Sequence, residues 1–320
     1  MGNSEYRQTG RPKPILVTGA PRSGTTWVGR MLALSPALYY IHEPFNPHAH
    51  ISKAICKAAP FPFRNMYITE ENEQQYYRAI KEILEGHYSL VRGLAQARSY
   101  RELRNAVGLW RKMGNYRERG ITPLIKDPTA LMSAGWLARR FDIQVVVVLR
   151  HPAAFVNSMK NRNWPFYPSR WALPQSLLMR DYLGHFEKEM IELEQGQADI
   201  VDRTALLWKL FHHVIAEYKK AYPGWVFLRH EDIATNPLAT FGSLYDRLGL
   251  VFSDDVRQSL SDFSKETNPA EGTGSVHFIQ RNSSATVSDW KRSLTPSDIA
   301  RIRERVEPVA SNFYDDSDWS

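Results

Sequence analysis

Pro14-Ile15-Leu16-Val17-Thr18-Gly19-Ala20-Pro21-Arg22-Ser23-Gly24-Thr25-Thr26-Trp27-Val28-Gly29-Arg30-Met31-Leu32 decides how the rest of this chain is read. A short apolar, β-branched run breaks at Gly19, passes through small and turn-forming residues, and resumes with Val28, Met31 and Leu32 at helical spacing. The pattern predicts strand, loop, helix. In that arrangement the backbone N–H groups of Ser23, Gly24, Thr25 and Thr26 are the unpaired donors of a helix N-terminus, with the positive end of the helix dipole behind them. A phosphate fits there. The spacing Gly19-x4-Gly24 matches the start of a nucleotide-binding P-loop, but Thr25 stands where users of nucleoside triphosphates carry a lysine. That lysine reaches the β- and γ-phosphates, whereas here the cation is Arg22, inside the loop. The loop therefore suits a single phosphate bearing one transferable group. A turn rich in Gly, Pro and Ser without any ligand is the competing reading of a bare G-x4-G, and the full run from Thr18 to Trp27 argues against it.

The chain of 320 residues is long for one domain but within range for one α/β unit with an insertion. Apolar residues at 43% and charged residues at 23% are ordinary globular values and exclude a disordered chain. Lys and Arg total 41 against 34 Asp and Glu, a net charge of +7 that suits an acidic ligand. No run of five basic residues points to nucleic acid. The longest fully apolar run, Val145 to Leu149, falls far short of the ~20 residues of a membrane span. Residues 1–12 read as a flexible polar tail without the apolar core of a secretory signal, so a cytoplasmic protein without an integral membrane segment is expected. The lone Cys56 excludes an internal disulfide and a cysteine metal site.

Past the first helix, Leu38-Tyr39-Tyr40-Ile41 reads as a second strand that runs into His42-Glu43-Pro44, placing Glu43 at a C-terminal strand tip, where parallel α/β sheets bind ligands. Residues 45–120 hold amphipathic segments such as Glu73–Leu84 and Tyr100–Met113, with aromatic residues among Arg92, Arg98, Arg101 and Arg104. Pro123-Leu124-Ile125-Lys126-Asp127-Pro128 is a third strand ending in a lysine, with a helix over Thr129–Arg140. Asp142–Leu149 is the clearest strand, a continuous β-branched run suited to the centre of a parallel sheet, and it ends in Arg150-His151-Pro152 before a helix carrying Ser158. Asn161–Pro174 reads as an aromatic loop, Gln175–Gln195 and Asp202–Tyr222 as helices, Trp225–Asp232 as the last strand and Pro237–Leu248 as a helix. His185, His212 and His213 have no carboxylate at the spacing of a metal site.

Pro21-Arg22-Ser23-Gly24-Thr25-Thr26-Trp27 resembles the fingerprint of the sulfotransferases that use 3′-phosphoadenosine 5′-phosphosulfate (PAPS), Pro-(Lys/Arg)-Ser-Gly-Thr-Thr followed by an aromatic or aliphatic residue. The likeness runs in ordered pieces over about half the chain and is closer to the carbohydrate and tyrosylprotein branch than to the cytosolic branch with a histidine base. It implies a P-loop-containing three-layer α/β fold, a central parallel sheet with helices on both faces, and one domain over 13–320 whose helical insertion at 45–120 caps the acceptor. It implies that Arg22, Ser23, Gly24, Thr25, Thr26 and Trp27 hold the 5′ end of PAPS, with Trp27 against the adenine. Arg150 and Ser158 fall where the family holds the 3′-phosphate, although His151 replaces the usual aspartate. Arg281 is the candidate for a second 3′-phosphate contact, without the family's glycine signature beside it. Glu43 is the candidate base and Lys126 the cation over the transferred group. His42 competes for the base, and strand alternation, which sends the two side chains to opposite sides, favours Glu43. The reaction implied is sulfuryl transfer from PAPS to a hydroxyl of a carbohydrate, glycolipid or other small molecule, releasing adenosine 3′,5′-bisphosphate, with no metal. A P-loop kinase is disfavoured by the missing lysine. A non-catalytic nucleotide-binding protein on the same scaffold is the rival from another class.

Overall fold

The computed structural model describes residues 12–47, 61–164, 167–196, 198–263 and 287–320. Strands β1 (Ile15–Gly19), β2 (Leu38–His42), β3 (Thr122–Lys126), β4 (Gln144–Leu149) and β5 (Val226–Arg229) form one sheet in the order β2-β3-β1-β4-β5. Every neighbouring pair is parallel. All five C-terminal ends therefore lie along one edge, with β1 in the middle.

Alternation along the strands gives the sheet two buried faces. Leu16 joins Ile41, Ile125, Val145 and Val147 in one core, while Ile15 and Val17 join Leu124, Val146 and Val148 in the other. The unbroken apolar run of β4 is what a strand covered on both sides requires, and Val145 through Leu149 are all buried. Each such side chain contributes about 1.5–3 kcal/mol relative to exposure. On the second face lie α1 (Thr25–Leu32) and α10 (Pro237–Arg247); the Tyr245 hydroxyl donates to the Met31 carbonyl at 2.7 Å and fastens α10 to the last turn of α1.

Between β2 and β3 run α2 (Tyr77–Leu84), α3 (Leu90–Gln96) and α4 (Tyr100–Glu118), and between β3 and β4 runs α5 (Ala134–Phe141). The first face is covered by α6 (Pro152–Lys160) and α8 (Ile200–Ala221), with α7 (Glu187–Gln195) between them in sequence. After β5 come α9 (His230–Thr235), α10, α11 (Asp254–Phe263), α12 (Asp289–Ser293) and α13 (Pro296–Ala310), the last packed on α8 and α6. The Asp199 side chain starts α8 by accepting the Val201 and Asp202 amides, and a Thr295–Asp298 capping box starts α13. None of the described helices is long and apolar enough to cross a membrane.

The expected α/β fold with a parallel sheet and helices on both faces is present, and several boundaries differ. The fifth strand ends at Arg229, and His230–Asp232 instead opens α9, because Glu231 and Asp232 sit in its first turn where the helix dipole favours acids. The segment read as one helix over Gln175–Gln195 is a helical turn at Ser176–Leu178, a π-turn at Met179–Leu183, a 3₁₀ turn at Gly184–Phe186, and then α7. Pro128–Ser133 is likewise 3₁₀ before α5 begins. Arg281, Cys56 and all but the last residue of the expected tail lie outside the described residues.

Candidate functional site

The loop after β1 is bent by two glycines in conformations where a side chain is strained. At Gly19 (φ +148°) a Cβ would stand 2.3 Å from the Val148 carbonyl oxygen of the adjoining strand. Gly24 (φ +95°) is the N-cap of α1, and a Cβ there would stand 2.6 Å from His230 Nδ1. Arg22, between them, is also left-handed at φ 69°. Ser23 N–H turns back to the Ala20 carbonyl at 3.2 Å, so this amide is not the open donor that the sequence suggests. The amides of Thr25 and Thr26 have no acceptor among the described residues and stay open at the mouth of α1. Gly24→Ala combines a forbidden backbone angle with the clash against His230, and is expected to cost about 1–3 kcal/mol in denaturant unfolding; an unchanged midpoint would show that the loop relaxes around the methyl group.

Arg22, Arg150 and Ser158 converge on that mouth. Arg22 Nε donates to Ser158 Oγ at 3.3 Å, and Arg150 Nη1 donates to the Arg22 carbonyl at 2.6 Å. Arg150 follows β4 directly, and its own carbonyl accepts the Trp208 Nε1 proton from α8 at 2.8 Å. Trp164 stands at the other side of Arg22, its ring centre 6.0 Å from the guanidinium carbon. Trp27 is half-buried, edge-on to Phe241 with ring centres 5.8 Å apart, and Trp27 Nε1 and Ser23 Oγ are both buried without a partner among the described residues.

At the ends of the next two strands, the buried Lys126 and the half-buried Glu43 form an ion pair. His42 is in register with Lys126 across β2 and β3, so Glu43 lies one residue past the ladder, and its N–H donates to the Lys126 carbonyl at 2.8 Å. A left-handed backbone at Glu43 (φ 45°) swings its side chain back to Lys126 Nζ, 2.5 Å from Oε1, while Asn46 Nδ2 donates to Oε2 at 2.7 Å. This turn also defeats the alternation argument: His42 Nε2 is 3.9 Å from the same carboxylate rather than on the far side. Lys126 is only 1% exposed. Its stem runs over Gly29 of α1, where a Cβ would meet Lys126 Cγ at 2.8 Å. Burial alone would raise the Glu43 pKa, but the Lys126 charge and the hydrogen bonds from Lys126 and Asn46, helped by His42, hold the carboxyl below its ordinary value.

Asp127 points the other way, into the core. Its Oδ1 accepts the Thr129 amide and hydroxyl at 2.8 and 2.7 Å, and its Oδ2 accepts Phe45 N–H at 2.6 Å, which ties down the turn that carries Glu43. Complete burial pushes its pKa up to about 7 against those hydrogen bonds. Nothing in the sequence marks Asp127 for this task except its place beside Lys126.

Behind Arg150 the strand end is sealed by aromatic rings. His151 is buried, stacked on Trp290 with ring centres 4.9 Å apart and met edge-on by Tyr314 and Trp319. Burial pushes its pKa down to about 3, so the imidazole is neutral. The Glu231 carboxylate accepts His151 N–H at 2.9 Å and the Tyr314 hydroxyl at 3.3 Å, and Arg229 pairs with Asp318. His230, the first residue of α9 and passed over in the sequence, lies against Gly24; its only signal is its place just after the last strand.

The sulfotransferase domain from the curacin biosynthetic pathway aligns with 92% of this chain and 98% of its own length, at 17% identity and a TM-score of 0.47. Mouse sulfotransferase SULT7A1, solved in complex with PAP, aligns over 94% of this chain and 85% of its own, at 13% identity and a TM-score of 0.46. Carbohydrate sulfotransferase 3 of Rattus norvegicus is 22% identical over 202 residues, 61% of this chain. The chain matches about a third of that relative's length, 35%. The sulfotransferase family model matches residues 14–254, a span that takes in all five strands, the glycine loop and the Glu43–Lys126 pair, and the chain belongs to the sulfotransferase family.

Proposed function

We propose that this protein transfers a sulfuryl group from PAPS to a hydroxyl of a carbohydrate acceptor, bare or carried on a lipid. The observation that carries this reading is the meeting of Arg150 and Ser158 with Arg22 at the open mouth of α1. Two sources of positive charge and two free amides collect there, with no lysine at the P-loop position to hold a triphosphate. The residues fit a nucleotide with phosphate at both ends: Ser23 Oγ and Trp27 Nε1 are buried donors without a partner among the described residues, and Arg150 offers a guanidinium fork. PAPS, when bound, supplies the sulfuryl group and leaves as adenosine 3′,5′-bisphosphate. Arg22, Ser23, Gly24, Thr25, Thr26 and Trp27 would hold its 5′ end, and Arg150 and Ser158 its 3′-phosphate.

Glu43 takes the acceptor proton as the hydroxyl oxygen attacks, and Lys126 Nζ, 2.5 Å from that carboxylate, places positive charge where negative charge gathers. The helical segment within 45–120 is the acceptor cap, and Trp164, from the aromatic segment after α6, stands beside Arg22. The carbohydrate class is supported by the likeness to rat carbohydrate sulfotransferase 3.

Labelled PAPS offered with sugars, glycolipids, phenols and peptides tests the reaction and sorts the acceptors. Titration with adenosine 3′,5′-bisphosphate tests the site. Arg150→Ala is expected to weaken that binding about tenfold to a hundredfold, the worth of one charge-assisted contact, with little return in Arg150→Lys. Tighter binding of ATP with Mg²⁺ than of the bisphosphate would instead make the chain a kinase on this scaffold.

A further inference from the structure

Helix α4 carries two apolar faces, and the fold uses one of them. Ala106 and Met113 are buried, and Leu109 and Tyr116 pack on the same core. Tyr100, Leu103, Val107 and Trp110 fall outside that set, yet at 100° per residue they share one sector about 80° wide. Tyr100 is 81% exposed, Trp110 47% and Leu103 40%, and the adjoining α3 leaves Val91 78% exposed. Such a stripe on a helix of 19 residues needs something to cover it.

Charge says what that is. Arg104 and Arg111 border one edge of the stripe and Arg117 the other, with Arg101 and Lys112 further round the helix and Arg119 at its end, and all six are exposed. Arg101, Arg104, Arg111, Arg117 and Arg119 enter no ion pair with a described residue. Helix α4 itself holds five basic residues against Glu102 and Glu118. An apolar stripe with a tryptophan, bordered by arginines on both sides, is the pattern of a helix lying in the plane of a bilayer with anionic headgroups around it. A second copy of this chain meeting the same face would oppose the same cations.

We infer that the outer face of α4 docks on an anionic membrane surface, with Tyr100, Leu103 and Trp110 in the interfacial layer and Arg104 and Arg111 against lipid phosphates and carboxylates. The contact is peripheral and separate from the glycine loop, so it holds whether or not the chain moves a sulfuryl group.

Sedimentation of the full chain with phosphatidylcholine vesicles, with and without phosphatidylserine, tests it. Binding is expected with phosphatidylserine and not without, weakening as salt rises. Arg104→Glu with Arg111→Glu is expected to lower partitioning by more than about tenfold, and Trp110→Ser with Leu103→Ser by about tenfold through lost apolar burial. Melting curves of both double variants establish that they are folded. Absence of binding at low salt overturns the inference. So does binding that survives both double variants, which would place the contact elsewhere on this basic chain. Self-association through the stripe without vesicle binding also overturns it, and assigns the face to a second copy.

Discussion

Glu43→Gln is expected to lower kcat by about 10²–10⁴-fold, the usual worth of a positioned general base, and to leave affinity for adenosine 3′,5′-bisphosphate within a factor of about two. Glutamine keeps the length and one carbonyl acceptor for Lys126 Nζ, so the turn at φ 45° can persist. It cannot take a proton. Its amide also opposes Asn46 Nδ2, which now donates to Oε2 at 2.7 Å, and the loss of that bond beside a buried cation costs about 1–3 kcal/mol of stability. The kcat loss must therefore be read at a temperature where both proteins are folded. The pH profile and His42→Gln together separate Glu43 from His42. The Lys126 charge and the hydrogen bonds around Glu43 hold its carboxyl below the ordinary value despite burial, so a carboxylate base keeps turnover flat down through weakly acidic pH. A base at His42 would instead show as a matching loss of turnover in His42→Gln. Unchanged turnover in Glu43→Gln would remove the carboxylate from the chemistry.

The glycine loop and β4 were legible because their information is local. A strand that breaks at Gly19 and resumes as a helix, or five buried aliphatic residues in a row, needs no knowledge of the rest of the fold. The Glu43–Lys126 pair was legible only as two separate residues. Their union spans 83 positions and depends on the register that sets His42 opposite Lys126, together with a left-handed turn that no pattern of apolar residues announces. The same holds for Asp127, whose carboxylate braces Phe45 from 82 residues away, and for His151, whose ring is enclosed by Trp290, Tyr314 and Trp319 from the far end of the chain. The strand after Trp225 was carried too far because Arg229-His230-Glu231-Asp232 has no apolar residue to mark where it stops, while its acids favour the first turn of a helix. Contacts between strand ends were therefore the part that only the assembled sheet could supply.

Lys126→Met tests the other half of the pair, and its expected loss in kcat is about 10²–10³-fold, the scale of one preorganised charge at a reacting group. Methionine follows the path of the lysine stem over Gly29, so the fold around it is kept. What goes is a cation that is 1% exposed and held 2.5 Å from Glu43. Without it Glu43 loses the strongest influence that lowers its pKa, so the acidic limb of the rate profile moves to higher pH. Stability shifts in the same direction. In the wild type the depressed Glu43 pKa contributes stability that is present above the ordinary carboxylate value and is lost as pH falls through the folded-state value. Asp127, raised to about 7, does the opposite: its cost is full above that pH and disappears below the ordinary aspartate range. Lys126→Met should therefore be most destabilised at neutral pH, and its deficit should shrink on acidification as Glu43 protonates. Lys126→Arg is expected to restore little, because a guanidinium fork is broader than the ammonium that it replaces at a side chain only 1% exposed. A Lys126→Met enzyme with kcat within a factor of about three of the wild type would show that the buried ammonium only fastens the Glu43 turn, and that the charge which steadies the departing group comes from Arg22.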